Sequence, residues 1–378
     1  MPALLPHIDP DGLLEYSVVY TDRALNHMSK NFQGVMNNIS QTLKRVYAAK
    51  SMAIVPGSGT FGMEAVARQF GTDKKCLVIR NGWFSYRWTQ ILDMCRIPSE
   101  ALVLKAQPID NGATPAFAPA PLDEVVRTIE EQRPDVVFAP HVETSSGIIL
   151  PGQYIRQVAD AVHNVGGLLV LDCIASGAIW VDMNESGVDV LISAPQKGWS
   201  GSPCCGLVML SDQAQARISD STSTSFACDL RKWLEIMQAS EGGGHAYHAT
   251  MPTDGLTAFR DVMNQTEQFG IDAAHKSQQE LGDRVRTLLA NAGFKSVAAE
   301  GFGAPGVVVS YTDDPDIKSG SRFAACGIQI AAGVPLQCDE PDEFQTFRIG
   351  LFGLDKLQNV DRTVQTLETS LMQVVDNR

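Results

Sequence analysis

The feature that most constrains this fold is a series of short segments made almost entirely of apolar residues. A strand that is apolar on both faces belongs in a sheet covered on both sides, as mainly parallel α/β sheets are. Amphipathic helical segments lie between several of these strands, so the alternation predicts βαβ units. The predicted strands are 52–55 (MAIV), 76–79 (CLVI), 135–139 (DVVFA), 167–171 (GLLVL), 189–192 (DVLI) and 206–210 (GLVML), and the predicted helices are 60–70, 122–132 and 152–164.

The chain changes character after about residue 255. Residues 255–293 predict a long amphipathic helix, and further on the pattern predicts strands at 306–311, 327–331 and 344–351 and a last helix from Asp355 to near Val374. Since 378 residues exceed what one hydrophobic core usually organises, a division into parts is expected. We predict an N-terminal arm at 1–25, a large domain at 26–255, and a linking helix with a small C-terminal α+β domain at 256–378.

Charge and cysteine usage exclude several classes of function. The formal net charge of −13 comes from scattered acidic residues and disfavours nucleic acid or an anionic membrane as partner. The longest apolar stretch, 166–181, is too short to span a bilayer and contains Asp172, and Asp9 and Asp11 do not suit a signal peptide. These features predict a cytoplasmic protein. The eight cysteines form no CxxC pair, which predicts no metal site.

The segment GSGTFG at 57–62 matches GxGxxG between a strand and a helix. A dinucleotide site needs an acidic residue at the end of the next strand, but that strand ends in Arg80. An arginine could suit a 2′-phosphate, so an NADP-binding protein stays open. The simpler interpretation is that the hydroxyls of Ser58 and Thr60 and the helix N-terminus bind a phosphate group. An ordinary glycine turn is the structural alternative.

Two charged residues follow predicted strands, at the end of the sheet where open α/β folds assemble their sites. Asp172 closes GGLLVLD, and Lys197 follows DVLISAPQ. A carboxylate there is costly without a cation, and burial would lower the pKa of a lysine and make it nucleophilic. Pyridoxal phosphate explains these features together: a phosphate for 58–60, a ring nitrogen for Asp172, and an aldehyde that forms a Schiff base with Lys197. Taken singly, the alternatives are a helix-capping Asp and a surface Lys.

At this point the sequence resembles the class V, fold type I aminotransferases, within them the alanine–glyoxylate, serine–pyruvate and 2-aminoethylphosphonate transaminase group. The resemblance runs from about Asn26 to Gly353. It implies an α/β fold whose large domain has a mainly parallel, seven-stranded sheet covered by helices, with a smaller C-terminal α+β domain. The motifs that carry it are PGSGTFGMEA (56–65), NGWFSYRW (81–88), HVETSSG (141–147), LDCIAS (171–176), APQKGWSGSPCCG (194–206), DLRKW (229–233), AYHATMPTDGL (246–256) and FRIGLFG (347–353).

The resemblance also implies roles for individual residues of the cofactor site. The phosphate would be bound by Ser58, Gly59, Thr60 and Gln196. Phe84, or else Trp83, would stack on the cofactor ring. The hydroxyl of Thr144 would contact the ring oxygen.

Further residues are implied to act across a subunit boundary or on the substrate. Tyr247 and Thr250 match residues that reach the phosphate of a neighbouring subunit, so a homodimer with shared active sites is expected. Arg348 matches the arginine that holds the substrate carboxylate, and a bidentate guanidinium suits that planar anion.

The predicted function is a transaminase that moves an amino group from a small amino acid or amine to a 2-oxo acid such as pyruvate or glyoxylate by a ping-pong mechanism. A lyase of the cysteine desulfurase or kynureninase type on the same fold is the alternative. A non-enzymatic or NADP-binding protein is the third class. The family's usual proline-rich start is absent, with only His27, Ser29 and Phe32 echoing its HxSxxF piece. Substrate choice is therefore the property that the resemblance transfers least.

Overall fold

The computed structural model describes residues 7–376. The first six residues of the predicted arm and the last two of the predicted small domain lie outside the described residues. The helices are α1 (Lys30–Tyr47), α2 (Gly59–Gly71), α3 (Trp83–Met94), α4 (Leu122–Gln132), α5 (Gly152–Asn164), α6 (Met183–Ser186), α7 (Asp212–Ser219), α8 (Leu230–Glu241), α9 (Thr253–Phe269), α10 (Ile271–Asn291), α11 (Pro315–Ser319), α12 (Ser321–Ala325), α13 (Leu354–Leu357) and α14 (Val360–Asp376).

The strands are short, and several are single pairs of residues. They are β1 (Ser51–Pro56), β2 (Lys75–Arg80), β3 (Glu100–Lys105), β4 (Gln107–Pro108), β5 (Phe117–Ala118), β6 (Val136–Pro140), β7 (Val142–Glu143), β8 (Ile148–Ile149), β9 (Leu168–Asp172), β10 (Val190–Ser193), β11 (Cys205–Leu210), β12 (Val307–Tyr311), β13 (Ala331–Ala332) and β14 (Thr346–Gly350).

Seven of these strands form one sheet in the order β1-β11-β10-β9-β6-β2-β3. The pairs from β10 to β3 are parallel, whereas β11 runs antiparallel to both β10 and β1. Every residue of β9, β10 and β11 is buried, as expected for strands covered on both faces. The predicted mainly parallel, seven-stranded α/β sheet is confirmed.

All six strands predicted from the apolar runs lie in this sheet, and β3 is the strand that the pattern did not predict. It forms the edge of the sheet and pairs with β2 alone. Its sequence EALVLK begins and ends with a charged residue, and none of its residues is fully buried. An edge strand is covered less, so it carries a weaker apolar signal.

The parallel arrangement brings the candidate residues to one edge of the sheet. The carboxyl ends of β2, β6, β9 and β10 point the same way, and β1 does too because both β1 and β10 oppose β11. Ser58 and Lys197 lie in the loops after β1 and β10, and Asp172 is the last residue of β9. Ligand sites of open α/β sheets lie at this edge.

The C-terminal part has a three-stranded sheet in the order β12-β14-β13, with antiparallel pairing throughout. A separate apolar cluster packs α10 and α14 against this sheet. A third apolar cluster contains residues from both predicted domains, Val142 and Ile148 with Val307 and Leu336. The division into domains therefore stays a prediction.

Three details of the C-terminal prediction were wrong. The segment 255–293 is two helices, α9 and α10, because the chain turns at Gly270, whose φ of +105° suits glycine alone. Of the predicted strand 327–331, the structure pairs only the last residue, in β13, since these residues are largely exposed. The last helix is split into α13 and α14.

No helix in the described range is long and apolar enough to cross a membrane. Within residues 7–376, no group of three or more His, Cys, Asp or Glu side chains is arranged to hold a metal ion.

Candidate active site

The turn between β1 and α2 forms a cradle for an anion. Gly59 and Thr60 are the first residues of α2, and their N–H groups have no intrahelical partner. Ser58 is the N-cap, but its half-buried side chain makes no capping hydrogen bond, so its hydroxyl is available. Free N–H groups and the positive end of the helix dipole together favour a phosphate group at this position.

Asp172 lies at the carboxyl end of β9, buried beneath the edge of the sheet. Its Oδ1 accepts a hydrogen bond from the N–H of Ile174 at 2.9 Å. Burial raises the pKa of Asp172 to about 7; the bond from Ile174 and the charge of Arg87 lower the pKa, while Glu143 raises it. A cation placed against this carboxylate would keep it ionised at neutral pH.

Lys197 lies in the loop after β10, half-buried, with its Nζ 5.1 Å from the centroid of the Phe352 ring. Burial lowers the pKa of Lys197, and the positive charge of Arg348 lowers it further. The loop is anchored by Trp199, whose buried Nε1 donates to the Tyr47 hydroxyl at 3.2 Å. The geometry therefore presents a partly desolvated amine on a firmly held loop, as a nucleophile requires.

Arg348, on β14, reaches the turn between β7 and β8. Its Nε donates to the Ala332 carbonyl at 2.8 Å, and its Nη1 donates to the Thr144 carbonyl at 3.5 Å. Its Cζ lies 5.5 Å from the centroid of the Phe84 ring. Burial lowers the pKa of Arg348, and the negative charge of Glu143 counteracts this. The fold thus brings Thr144, Phe84 and Arg348 together, although about two hundred residues of chain separate Thr144 from Arg348.

The two aromatic residues that begin α3 face different surroundings. The ring of Phe84 lies near the guanidinium groups of both Arg348 and Arg87. The ring of Trp83 packs against Tyr86, with centroids 5.9 Å apart. Phe84, rather than Trp83, therefore lies among the other candidate residues.

Tyr247 and Thr250 lie apart from these residues, in the exposed connection between α8 and α9. Their hydroxyls are 3.3 Å apart, and the Tyr247 ring lies 5.6 Å from that of His27. Neither makes a contact with the candidate cradle within the described part of this chain. A role at the phosphate would require a second subunit.

Two residues that the sequence interpretation did not assign belong to the site. Glu143 is fully buried and accepts hydrogen bonds from the N–H groups of Phe84, Ser85 and Ser145 and from both serine hydroxyls, at 2.7–3.2 Å. It takes the place of a side-chain cap at the N-terminus of α3, where Gly82 is the N-cap. An acidic residue inside the motif HVETSSG was the available signal.

The second unassigned residue is Arg87, one turn after Phe84 on α3. Its Nη1 donates to the Oγ1 of Thr60 at 3.0 Å. Its position three residues after an aromatic residue, on the same helix face, was the signal that could have identified it.

The side chains present fit pyridoxal phosphate. The cradle offers hydroxyl and N–H donors to a phosphate, and Asp172 is a buried carboxylate that forms one hydrogen bond and no ion pair within residues 7–376. The buried Oε1 of Gln196 has no hydrogen-bond partner within residues 7–376, which leaves that amide to be oriented by a ligand. The Lys197 amine and the Arg348 guanidinium lie close enough to influence each other electrostatically.

Known proteins that resemble this chain include aminotransferases. A family model described as "Aminotransferase class-V" matches residues 13–301. The chain is 23% identical to an alanine–glyoxylate aminotransferase of Rattus norvegicus, covering 94% of this chain and 84% of that protein. It is 28% identical to a 2-aminoethylphosphonate–pyruvate transaminase of Aeromonas hydrophila, covering 85% and 82%. The crystal structure of an alanine–glyoxylate aminotransferase from Nostoc sp. matches with a TM-score of 0.78 at 20% identity, covering 92% of this chain and 88% of that one.

Proposed function

Since this chain belongs to the class-V aminotransferase family, we propose that it uses pyridoxal phosphate to move an amino group from a small amino acid or amine to a 2-oxo acid such as pyruvate or glyoxylate. The observation that carries this proposal is that the fold brings Asp172 and Lys197 to one edge of the large sheet beside an anion cradle, with Arg348 close enough to lower the pKa of Lys197. Asp172 is buried, Lys197 and Arg348 are half-buried, and Asp172 forms no ion pair within residues 7–376.

Each residue has a distinct role in this proposal. Bound pyridoxal phosphate supplies an aldehyde and an electron-withdrawing ring that stabilises negative charge at the substrate Cα. The Lys197 amine would bind the aldehyde carbon; once released, it would act as the base that takes the proton from the substrate Cα and as the acid that delivers a proton to the former aldehyde carbon. Asp172 would keep the ring nitrogen protonated, because a buried carboxylate is stabilised by that positive charge.

Arg348 selects the substrate. Its Nε and Nη1 are held by the carbonyls of Ala332 and Thr144, which fixes the plane of the guanidinium. A fixed guanidinium favours a carboxylate or another planar or tetrahedral anion. The two curated relatives described above are named for alanine with glyoxylate and for 2-aminoethylphosphonate with pyruvate. Both names support a small donor and a short 2-oxo acid acceptor here.

A homodimer is part of the proposal. Tyr247 and Thr250 are exposed, and so are the apolar side chains of Leu13, Tyr16 and Val18 on the arm. Exposed apolar groups concentrated on an extended segment are typical of an interaction surface. A second subunit would cover them and bring Tyr247 and Thr250 to its partner's cradle. Location in the cytoplasm stays a prediction from the sequence.

The test is a half-reaction screen with the purified protein. Alanine, serine, aspartate, taurine and 2-aminoethylphosphonate are added singly, and the visible absorption of the cofactor and the release of oxo product are followed. We expect spectral change with at least one carboxylate donor, and loss of that change and of turnover in Lys197→Ala. Turnover by Lys197→Ala would overturn the proposal, and reaction with none of the carboxylate donors would overturn the role of Arg348. Sulfide release from cysteine would favour the lyase alternative.

A further inference from the structure

The cradle proposed for the cofactor phosphate contains no charged side chain. Ser58, Gly59, Thr60 and Gln196 offer hydroxyl, N–H and amide donors, all of which are neutral. A phosphate monoester carries about two negative charges at neutral pH. Holding such an anion away from water is costly unless a cation lies close to it. The cradle therefore needs a positive charge from a residue outside the predicted set.

Arg87 is the cation that touches the cradle. Its Nη1 donates a hydrogen bond to the Oγ1 of Thr60 at 3.0 Å. Its Cζ lies 5.3 Å from the centroid of the Phe84 ring, which is expected to cover the cofactor. One half-buried guanidinium thus contacts both a phosphate-binding residue and the stacking residue.

Arg87 forms no ion pair within residues 7–376. Its guanidinium makes a hydrogen bond to Thr60 and lies against the Phe84 ring, and its charge also acts on Asp172. By contrast, Arg68 on the neighbouring helix α2 pairs with Glu64 at 2.8 Å. A guanidinium has five N–H donors, so Arg87 retains donors that can bind an anion placed in the cradle.

We infer that Arg87 is the counter-ion of the cofactor phosphate and that it orients the Thr60 hydroxyl toward that phosphate. Because the Thr60 oxygen accepts a hydrogen bond from Arg87, its own O–H proton remains free to be donated to a phosphate oxygen. The planar guanidinium can bind a second phosphate oxygen directly. This inference rests on the proposed use of pyridoxal phosphate.

The competing explanation is that Arg87 serves Asp172 instead. The positive charge of Arg87 lowers the pKa of Asp172, so the two groups interact even though they form no ion pair. An arginine that acts on Asp172 would support the cofactor ring, whereas an arginine that acts on the phosphate would have no effect on a ligand without one. Pyridoxal has the same ring and aldehyde as pyridoxal phosphate but no phosphate, so it separates the two roles.

The experiment compares the affinities of both compounds for the full-length protein freed of cofactor. Wild type, Arg87→Gln and Arg87→Lys are titrated with pyridoxal phosphate and with pyridoxal by equilibrium dialysis. For Arg87→Gln we expect the affinity for pyridoxal phosphate to fall about ten- to a hundredfold, and that for pyridoxal to change by less than about twofold. The affinity of Arg87→Lys for pyridoxal phosphate should lie between those of wild type and Arg87→Gln, because lysine keeps the charge and lacks the paired donors of the guanidinium.

A second readout uses inorganic phosphate alone, which should raise the unfolding temperature of the cofactor-free wild type and raise it less in Arg87→Gln. Arg127→Gln is the matched control, since Arg127 is exposed on α4 and should behave like wild type in both measurements. If the affinities for pyridoxal and pyridoxal phosphate fell by the same factor in the Arg87 variants, or if neither affinity changed, the inference would be wrong. If the wild type bound neither compound, the proposed function itself would fail.

Discussion

Among the residues of the site, Asp172 has the ionisation that matters most for stability. Its pKa rises from 3.8 to about 7 when burial removes the carboxylate from water. Between these two values the folded protein holds a proton that the unfolded chain has lost. The cofactor-free protein should therefore lose stability as the pH rises from about 4 to about 7.

Replacing Asp172 with Asn should remove this part of the pH dependence. The free energy of unfolding in urea is measured for the cofactor-free wild type and Asp172→Asn at pH 5 and pH 7.5. We expect wild type to lose more stability between these pH values than the variant does, because the amide does not titrate. An equal loss in both proteins would contradict the assigned pKa.

Among the residues of the site, Glu143 should be the one whose neutralisation costs the most stability. In Glu143→Gln the amide group would face N–H and O–H donors that now lie within 2.7–3.2 Å of the carboxylate. We expect a loss of at least about 2 kcal/mol in the free energy of unfolding, because charge-assisted bonds are replaced by opposed donors. The unfolding midpoint in urea measures this loss.

The control for Glu143→Gln is Glu280→Gln. Glu280 forms a surface ion pair with Arg284 on α10, so its replacement should leave the unfolding midpoint in urea nearly unchanged. Similar stabilities of the two variants would mean that the Glu143 hydrogen bonds contribute little.

At the scale of secondary-structure elements, the position of the cradle depends on how closely α2 packs on β11. A Cβ atom on Gly206 would lie 2.9 Å from the Cα of Gly62, so the helix and the strand touch through their backbones. Since Gly59 and Thr60 lie in the same helix, this close approach also sets the position of the N–H groups that face the phosphate. A change in the packing of one element should therefore change cofactor affinity.

We predict that Gly206→Ala destabilises the protein by about 1–3 kcal/mol, because the added methyl group must push α2 away from the sheet. It should also weaken binding of pyridoxal phosphate, which equilibrium dialysis measures. Gly34→Ala is the matched control: a Cβ on Gly34 would meet no atom within 4 Å. Because Gly34 lies within α1, this replacement should stabilise the protein by about 0.5–1 kcal/mol. Wild-type stability of Gly206→Ala would argue against the close contact.

At the scale of the whole molecule, the proposed dimer would be needed to complete each site. Tyr247 and Thr250 are exposed and form no hydrogen bond with Lys197 in the described part of the chain. The sharing of sites between subunits can therefore be tested by mixing variants. One variant is Lys197→Ala, and the other carries Tyr247→Ala and Thr250→Ala together. Each pure variant should have little activity, since the first lacks the amine and the second binds phosphate weakly.

Co-refolded or co-expressed mixtures should regain about a quarter of the wild-type activity, because half of the random dimers are mixed and each has one complete site. Simple blending of the two purified variants without subunit exchange is the control. If the co-expressed mixture had only the average of the two pure activities, sites shared between subunits would be excluded. Light scattering of the wild type measures the subunit number directly.

Much of the fold and part of the site could be predicted because they depend on local sequence. Continuous apolar runs indicated the buried strands, and residues just after those runs, Asp172 and Lys197, had to lie at one edge of a parallel sheet. The family match and the named relatives confirm the aminotransferase prediction and favour it over the lyase alternative. The strand β3 and the break at Gly270 were missed because an exposed edge and a single positive φ leave little trace in an apolar pattern.

The sequence by itself determined the sheet, the strand ends and the residue types that pyridoxal phosphate chemistry requires, since each of these follows from patterns a few residues long. The tertiary structure decided which side chains meet: Arg87 with Thr60, Glu143 with the start of α3, and Arg348 with Thr144. These partners come from separate segments of the chain, so no local pattern links them. Their burial, and with it the pKa of Asp172 and of Lys197, exists only once the layers have packed.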